Sequence, residues 1–144
     1  MSDKNIVKIE FVGNEPKCMD KGSAGNDLKT SEEYFIEPGH TVFVETHTAM
    51  AIPEGYFGMA VPRSSLCNKS GLVLANSVGV IDSSYRGTIK FAYRNPTRDP
   101  ITIEAGERIG QIVIVPFVEV NWVKVDVLPE TERGEAGFGS TGSK

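Results

Sequence analysis

Apolar and polar residues alternate with a period of two along much of this chain. Val7, Ile9 and Phe11 alternate with Lys8 and Glu10. Ile89, Phe91 and Tyr93 alternate with Lys90 and Ala92, and Ile101 and Ile103 with Thr102 and Glu104. Successive side chains of a strand point to opposite faces, so this pattern predicts half-buried strands. Thr41 to Glu45, Thr48 to Ile52 and Tyr56 to Val61 are short runs rich in β-branched or aromatic residues, and each run ends at Gly, Pro or Asn. Many short strands with frequent turn signals predict a sandwich or barrel. Val118, Val120 and Trp122 share one phase, while Val123, Val125 and Val127 share the other. A slip of that kind inside one strand predicts a β-bulge or a transfer between sheets.

One segment breaks the pattern and predicts a helix. It starts at Ser64 or Ser65, passes Leu66 and Cys67 and stops at Gly71. Serine caps the start of a helix and glycine its end. The chain after Pro129 reads PETERGEAGFGSTGSK, with Phe138 alone among small and polar residues. Such a composition cannot build a core. It suits either a disordered terminus or a flap that orders over a ligand.

Composition narrows the function. The 144 residues fit one domain with one core. Two cysteines, Cys18 and Cys67, make neither a disulfide framework nor a zinc site, which favours a reducing, intracellular setting. No apolar run approaches membrane-spanning length, and the start MSDKNIVKIE lacks the apolar stretch of a secretion signal. The net charge is −4 without a basic block, which argues against a general nucleic-acid binder. A nucleotide substrate stays open, because a few arginines and a metal can neutralise a triphosphate locally.

The chemistry-bearing residues gather in five segments. They read SAGNDL (Ser23 to Leu28), PRSSL (Pro62 to Leu66), NSVGVIDSSYRG (Asn76 to Gly87), GERIGQ (Gly106 to Gln111) and RGEAGFGSTG (Arg133 to Gly142). Together, in this order, they resemble the five motifs of the trimeric, all-β dUTPase family. The resemblance implies a jelly-roll-like β-barrel over 1–128, a flexible arm over 129–144, and a homotrimer whose three active sites each draw on all three chains. It implies hydrolysis of dUTP to dUMP and pyrophosphate with Mg²⁺, which keeps uracil out of DNA and supplies dUMP for thymidylate synthesis. A cytoplasmic location is expected, or a nuclear one in a eukaryotic or viral setting.

The resemblance also distributes roles. Asp82 matches the aspartate that activates the attacking water. A placed base contributes about 10²- to 10⁴-fold. By composition alone Ile81-Asp82-Ser83-Ser84 reads as a turn. Gly79 to Lys90 looks like a hairpin with Asp82 to Gly87 near its turn. In the family, backbone groups of this hairpin, here Gly79, Val80 and Ile81, read uracil together with the amide matching Asn76. Such a site rejects cytosine because buried groups would be left unpaired. Tyr85 matches the tyrosine that packs on deoxyribose, and Lys90 closes the segment.

Arg63, Ser64 and Ser65, at the start of the short helix, suit phosphate oxygens. Gln111 matches a glutamine on the phosphate chain. It also interrupts the apolar run Ile109 to Val115, where a buried amide needs a partner. Arg133 is expected on the phosphates, Phe138 on the uracil face, and Gly139, Ser140 and Thr141 around the terminal phosphate. Asp27 is read mainly as holding a turn near the metal region, with a contact to Mg²⁺ through water as the other reading. No direct protein ligand to Mg²⁺ is expected.

Four positions depart from the family pattern: Asn26, Ser65, Ser84 and Ala136. Ser84 stands where a second aspartate is common, so it alters the surroundings of Asp82 but leaves the base intact. Two rival readings are a deaminase of dCTP with the same fold and a non-catalytic, nucleotide-sensitive protein-binding module. The first needs a carboxylate against the cytosine amino group, and none fits. The second is disfavoured by the intact Asp82, Arg63 and tail.

Overall fold

The computed structural model describes residues 6–139, apart from the side chains of 67–69. The strands are β1 (Glu10–Gly13), β2 (Lys17–Cys18), β3 (Asn26–Lys29), β4 (Tyr34–Ile36), β5 (Thr41–Glu45), β6 (Thr48–Ala51) and β7 (Tyr56–Val61). The helix α1 (Ser64–Ser70) follows, and then β8 (Val73–Leu74), β9 (Gly79–Ile81), β10 (Lys90–Arg94), β11 (Ile101–Ile103) and β12 (Arg108–Pro116). The chain is therefore nearly all β with one short helix, as the period of two predicts. Gly71, at φ +79°, ends the helix in the left-handed conformation that glycine adopts without strain.

Every ladder is antiparallel. The largest sheet runs β2-β3-β12-β7-β9; a second runs β5-β10-β8; β1-β6 and β4-β11 form two-stranded pairs. Among the described residues these ladders do not join into one closed barrel. Between them lies the core, with Leu28, Ile36, Val44, Phe91, Ile109 and Ile112 nearly solvent-free. Phe91 and Tyr93, two apart on β10, stack with ring centroids 5.9 Å apart. Two buried polar side chains find backbone partners. The Asn95 amide donates to the Ile36 carbonyl at 2.9 Å, and the Thr46 hydroxyl to the Ile89 carbonyl at 2.6 Å.

Four expectations are corrected. Gly79 to Lys90 is not a hairpin: β9 pairs with β7 in the five-stranded sheet, and β10 pairs with β5 and β8. The segment crosses between sheets, because Ile89 and Phe91 must enter the core on the other side. Asp27 does not hold a turn; it lies within β3, paired on both edges. The first strand begins at Glu10, later than the alternation from Val7 suggests.

Val118 to Val127 form no strand. Phe117 is anchored, since its N–H meets the Gly55 carbonyl at 3.0 Å and its ring meets Phe57 edge-on at 6.2 Å. Beyond it Val118, Val120, Trp122 and Leu128 are exposed. The phase slip has a simple physical reading there, because no neighbouring strand imposes a face.

Candidate functional site

Nine of the residues singled out from the sequence line two clefts on the single chain. The first forms where β9 ends at Ile81. The chain turns at once, with the Tyr85 N–H donating to the Asp82 carbonyl at 3.1 Å. The Tyr85 hydroxyl then donates to the Thr88 carbonyl at 2.8 Å, and the Arg86 guanidinium to the Ser83 carbonyl at 2.6 Å. This turn and its two side-chain clasps present the Asp82 carboxylate outward. The resulting cleft, about 300 Å³, is lined by Phe43, Val80, Ile81, Asp82, Tyr85, Thr88, Ile89 and Lys90. Five of these are residues predicted for the nucleoside side.

Phe43, Thr88 and Ile89 were missed, and so was Glu45 behind them. Phe43 is an aromatic on the outward face of β5, within the run Thr41 to Glu45 that the sequence marked as a strand. Lys90 stands opposite Glu45 in the ladder, Nζ 3.8 Å from Oε2, and the Thr88 hydroxyl donates to the same oxygen at 2.9 Å. The cleft thus combines aromatic and aliphatic walls with a carboxylate at one side, a surface suited to a flat ring and a sugar. Asn76 lies beside it in sequence, exposed and outside the lining, its amide near Gly79.

The second cleft, about 340 Å³, is lined by Met19, Ser23, Ala24, Gly25, Asp27, Arg63, Ser64 and Gln111. Helix α1 begins here, with no acid in its first turn to oppose an anion. Arg63 Nε lies 3.3 Å from Asp27 Oδ2. Asp27 is 7% exposed and therefore needs a cationic partner. The Gln111 amide donates to the Pro62 carbonyl at 3.1 Å, which answers the demand its interruption of the apolar run raised. Gly25 admits that side chain: a Cβ there would stand 1.9 Å from Gln111 Oε1. Ser65 is exposed on the next position of the helix.

The two clefts lie at opposite ends of the five-stranded sheet. Gln111 stands opposite Val61 on β7, and Ile81 stands opposite Gly58. Asp82 is one residue further along and one strand beyond β7. At roughly 3.3 Å per residue and 4.8 Å per strand, Asp82 and Gln111 are about 15 Å apart.

In the arm, the Arg133 Nε–H donates to the Ala136 carbonyl at 2.6 Å, and Phe138 is fully exposed. Neither lines either cleft. Gly139 has φ +82° at the end of the described chain, and Ser140 and Thr141 lie outside the described residues. Among the described residues no group of three or more His, Cys, Asp or Glu side chains could hold a metal. Asp27 is the one carboxylate lining the arginine cleft, and its Oδ2 already faces Arg63 and Arg108. These residues fit a hydrated metal carried on phosphate oxygens and do not fit a metal held by the chain itself.

A family model described as dUTPase matches residues 14–142. The chain is 43% identical over 143 residues to the deoxyuridine 5'-triphosphate nucleotidohydrolase of Cutibacterium acnes, covering 99% of this chain and 94% of that one. It is 47% identical over 143 residues to the protein of the same name from Corynebacterium diphtheriae, covering 96% and 93%. Its fold is similar to that of the Staphylococcus bacteriophage 80alpha dUTPase G164S mutant with dUpNHpp. The TM-score there is 0.86 at 28% identity, covering 94% of this chain and 98% of that one.

Proposed function

The chain belongs to the dUTPase family, and from that premise we propose that its two clefts are the complementary halves of a site hydrolysing dUTP to dUMP and pyrophosphate. The observation that carries this reading is the cleft that gathers Val80, Ile81, Asp82, Tyr85 and Lys90 around one carboxylate. Deoxyuridine occupies it, with its sugar against Tyr85 and its base edge toward the backbone of Gly79 to Ile81 and the Asn76 amide. The triphosphate meets Arg63, Ser64 and Gln111.

Asp82 accepts a proton from a water as the water oxygen bonds to the α-phosphorus. The bond from that phosphorus to the bridging oxygen breaks, and the pyrophosphate takes the electron pair. Arg63, Gln111 and Arg133 stabilise the charge that develops on the phosphate oxygens. Mg²⁺ carried on the triphosphate would supply Lewis-acid stabilisation of that charge. Asp27, the carboxylate of the arginine cleft, would meet the metal through water.

Catalytic groups must lie within a few ångströms of the reacting atoms. A gap of about 15 Å between Asp82 and Gln111 on one chain supports a homotrimer in which one chain's Asp82 works beside another's Gln111 and Arg63. The arm of a third chain covers the nucleotide, with Phe138 on the base and Gly139, Ser140 and Thr141 at the terminal phosphate. Stacking a base on an aromatic contributes about 1–3 kcal/mol, which offsets part of the cost of ordering the arm. The enzyme is read as intracellular, serving nucleotide metabolism.

Pyrophosphate release from dUTP, dCTP, dTTP and UTP in parallel, with and without Mg²⁺, tests the assignment. Turnover confined to dUTP supports it, and ammonia release from dCTP, measured beside it, would replace it with the deaminase reading. Tyr85→Ala is expected to erode the preference for dUTP over UTP, because its clasp to Thr88 holds the ring where a 2′-hydroxyl would intrude. An unchanged dUTP/UTP ratio would remove the sugar-packing role.

A further inference from the structure

Strand β12 is irregular at one point. Against β3, Gln111 pairs with Asp27 and Gly110 with Leu28, and the register then jumps so that Arg108 faces Lys29. Ile109 is the extra residue of a β-bulge. Directly opposed residues share a face of the sheet, so the bulge brings Arg108 onto the face of Asp27 and Gln111. In an unbroken strand Arg108 would share the face of Gly110, which points into the core. A Cβ on Gly110 would stand 2.4 Å from the Phe91 ring. The bulge is held from beneath, because the buried Tyr93 hydroxyl donates to the Ile109 carbonyl and the Ile109 side chain is solvent-free.

Arg108 consequently meets Asp27. Its Nη1 lies 3.2 Å from Oδ2, the same oxygen that Arg63 Nε approaches at 3.3 Å. Arg63 and Asp27 alone would form a neutral pair at the cleft. With Arg108 the three groups carry a net +1, and the buried carboxylate is shared between two guanidiniums. Arg108 itself does not line the cleft; it reaches two residues that do, Asp27 and, with Nη1 2.6 Å from its Sδ, Met19, and of these only Asp27 also holds Arg63.

We propose that Arg108 is a positioning residue for dUTP hydrolysis. Through Asp27 it holds the Arg63 guanidinium at the phosphate-side cleft and leaves that cleft net positive. This rests on reading Arg63 as a phosphate contact.

The test is a double-mutant cycle in the full-length assembled protein, using Arg108→Gln, Arg63→Gln and their combination, with Arg108→Lys as the conservative variant. Pyrophosphate release from dUTP is measured beside equilibrium binding of dUMP and of a non-hydrolysable imido analogue of dUTP. Arg108→Gln is expected to lower kcat/KM by about 10- to 100-fold, the scale of a misplaced catalytic group. It should weaken the triphosphate analogue and leave dUMP binding nearly unchanged. Arg108→Lys should recover most of the loss, and the double variant should be little worse than Arg63→Gln alone.

Additive losses, equal weakening of dUMP and analogue, or no rescue by lysine would mean that Arg108 only supports the fold, and would overturn the inference. Should Arg108→Gln fail to fold, Arg108→Met keeps an unbranched apolar stem of similar length and enters the same cycle with the same criteria. A damaged Arg63→Gln beside an unchanged Arg108→Gln overturns this inference alone. An unchanged Arg63→Gln overturns the reading of Arg63 and this inference with it.

Discussion

Asp82→Asn is expected to lower dUTP turnover by about 10²-fold or more, equivalent to roughly 2.7 kcal/mol of barrier, while assembly and nucleotide binding persist. Asparagine keeps the size and shape of the side chain and removes its basicity. The turn should survive, because it is held by the Asp82 backbone carbonyl and by the clasps of Tyr85 and Arg86. The carboxylate itself is displayed on the cleft wall. Single-turnover hydrolysis measured beside binding of the imido analogue separates the two effects. Near-normal turnover would eliminate Asp82 as the base.

Mixing two inactive chains should restore activity. One carries Asp82→Asn; the other ends after Glu132 and lacks the arm. Any trimer containing both kinds of chain holds one site in three with an intact Asp82 from one chain beneath an intact arm from another. Co-expression with two different tags, isolation of trimers carrying both, and a dUTP assay make the measurement. With one site in three working, a parent lowered about 10²-fold would be exceeded by roughly 30-fold, and by more where the parent's loss is larger. The separation of Asp82 from Gln111 along β7 is the geometric reason to expect it. If each chain built a complete site, no mixture would recover, and doubly tagged trimers that stay silent would refute sharing while leaving the family assignment in place.

Short runs of β-branched and aromatic residues bounded by turn formers were legible from residues alone. Thr41 to Glu45 and Tyr56 to Val61 form strands with those bounds. The helix after Arg63 was legible too, from its serine start and glycine stop. β3 was hidden because Asn26 and Asp27 are turn-formers by propensity. Pairing on both edges and two arginine partners make a buried aspartate tolerable in mid-sheet.

The false hairpin at Gly79 to Lys90 had the opposite cause. Two alternating runs joined by a turn suggest mutual pairing, yet each run found a longer partner in a different sheet. For the site, motif order named the residues of both clefts. It could not say that they sit at opposite ends of a sheet, since a strand's period reports faces and not ends. Arg108 escaped notice because its role depends on one extra residue in a ladder, which no period of two reveals.

The chain has a single tryptophan, and it stands on the uncovered stretch after Phe117, at 89% exposure. An indole in water emits at longer wavelength than one packed against protein. Trp122 is therefore a native optical reporter of whether that stretch has found a surface to lie on. Neighbouring chains coming together over it would announce themselves as a blue shift, with no dye or engineered label. The shift would come from that one place, because no second indole exists to blur it.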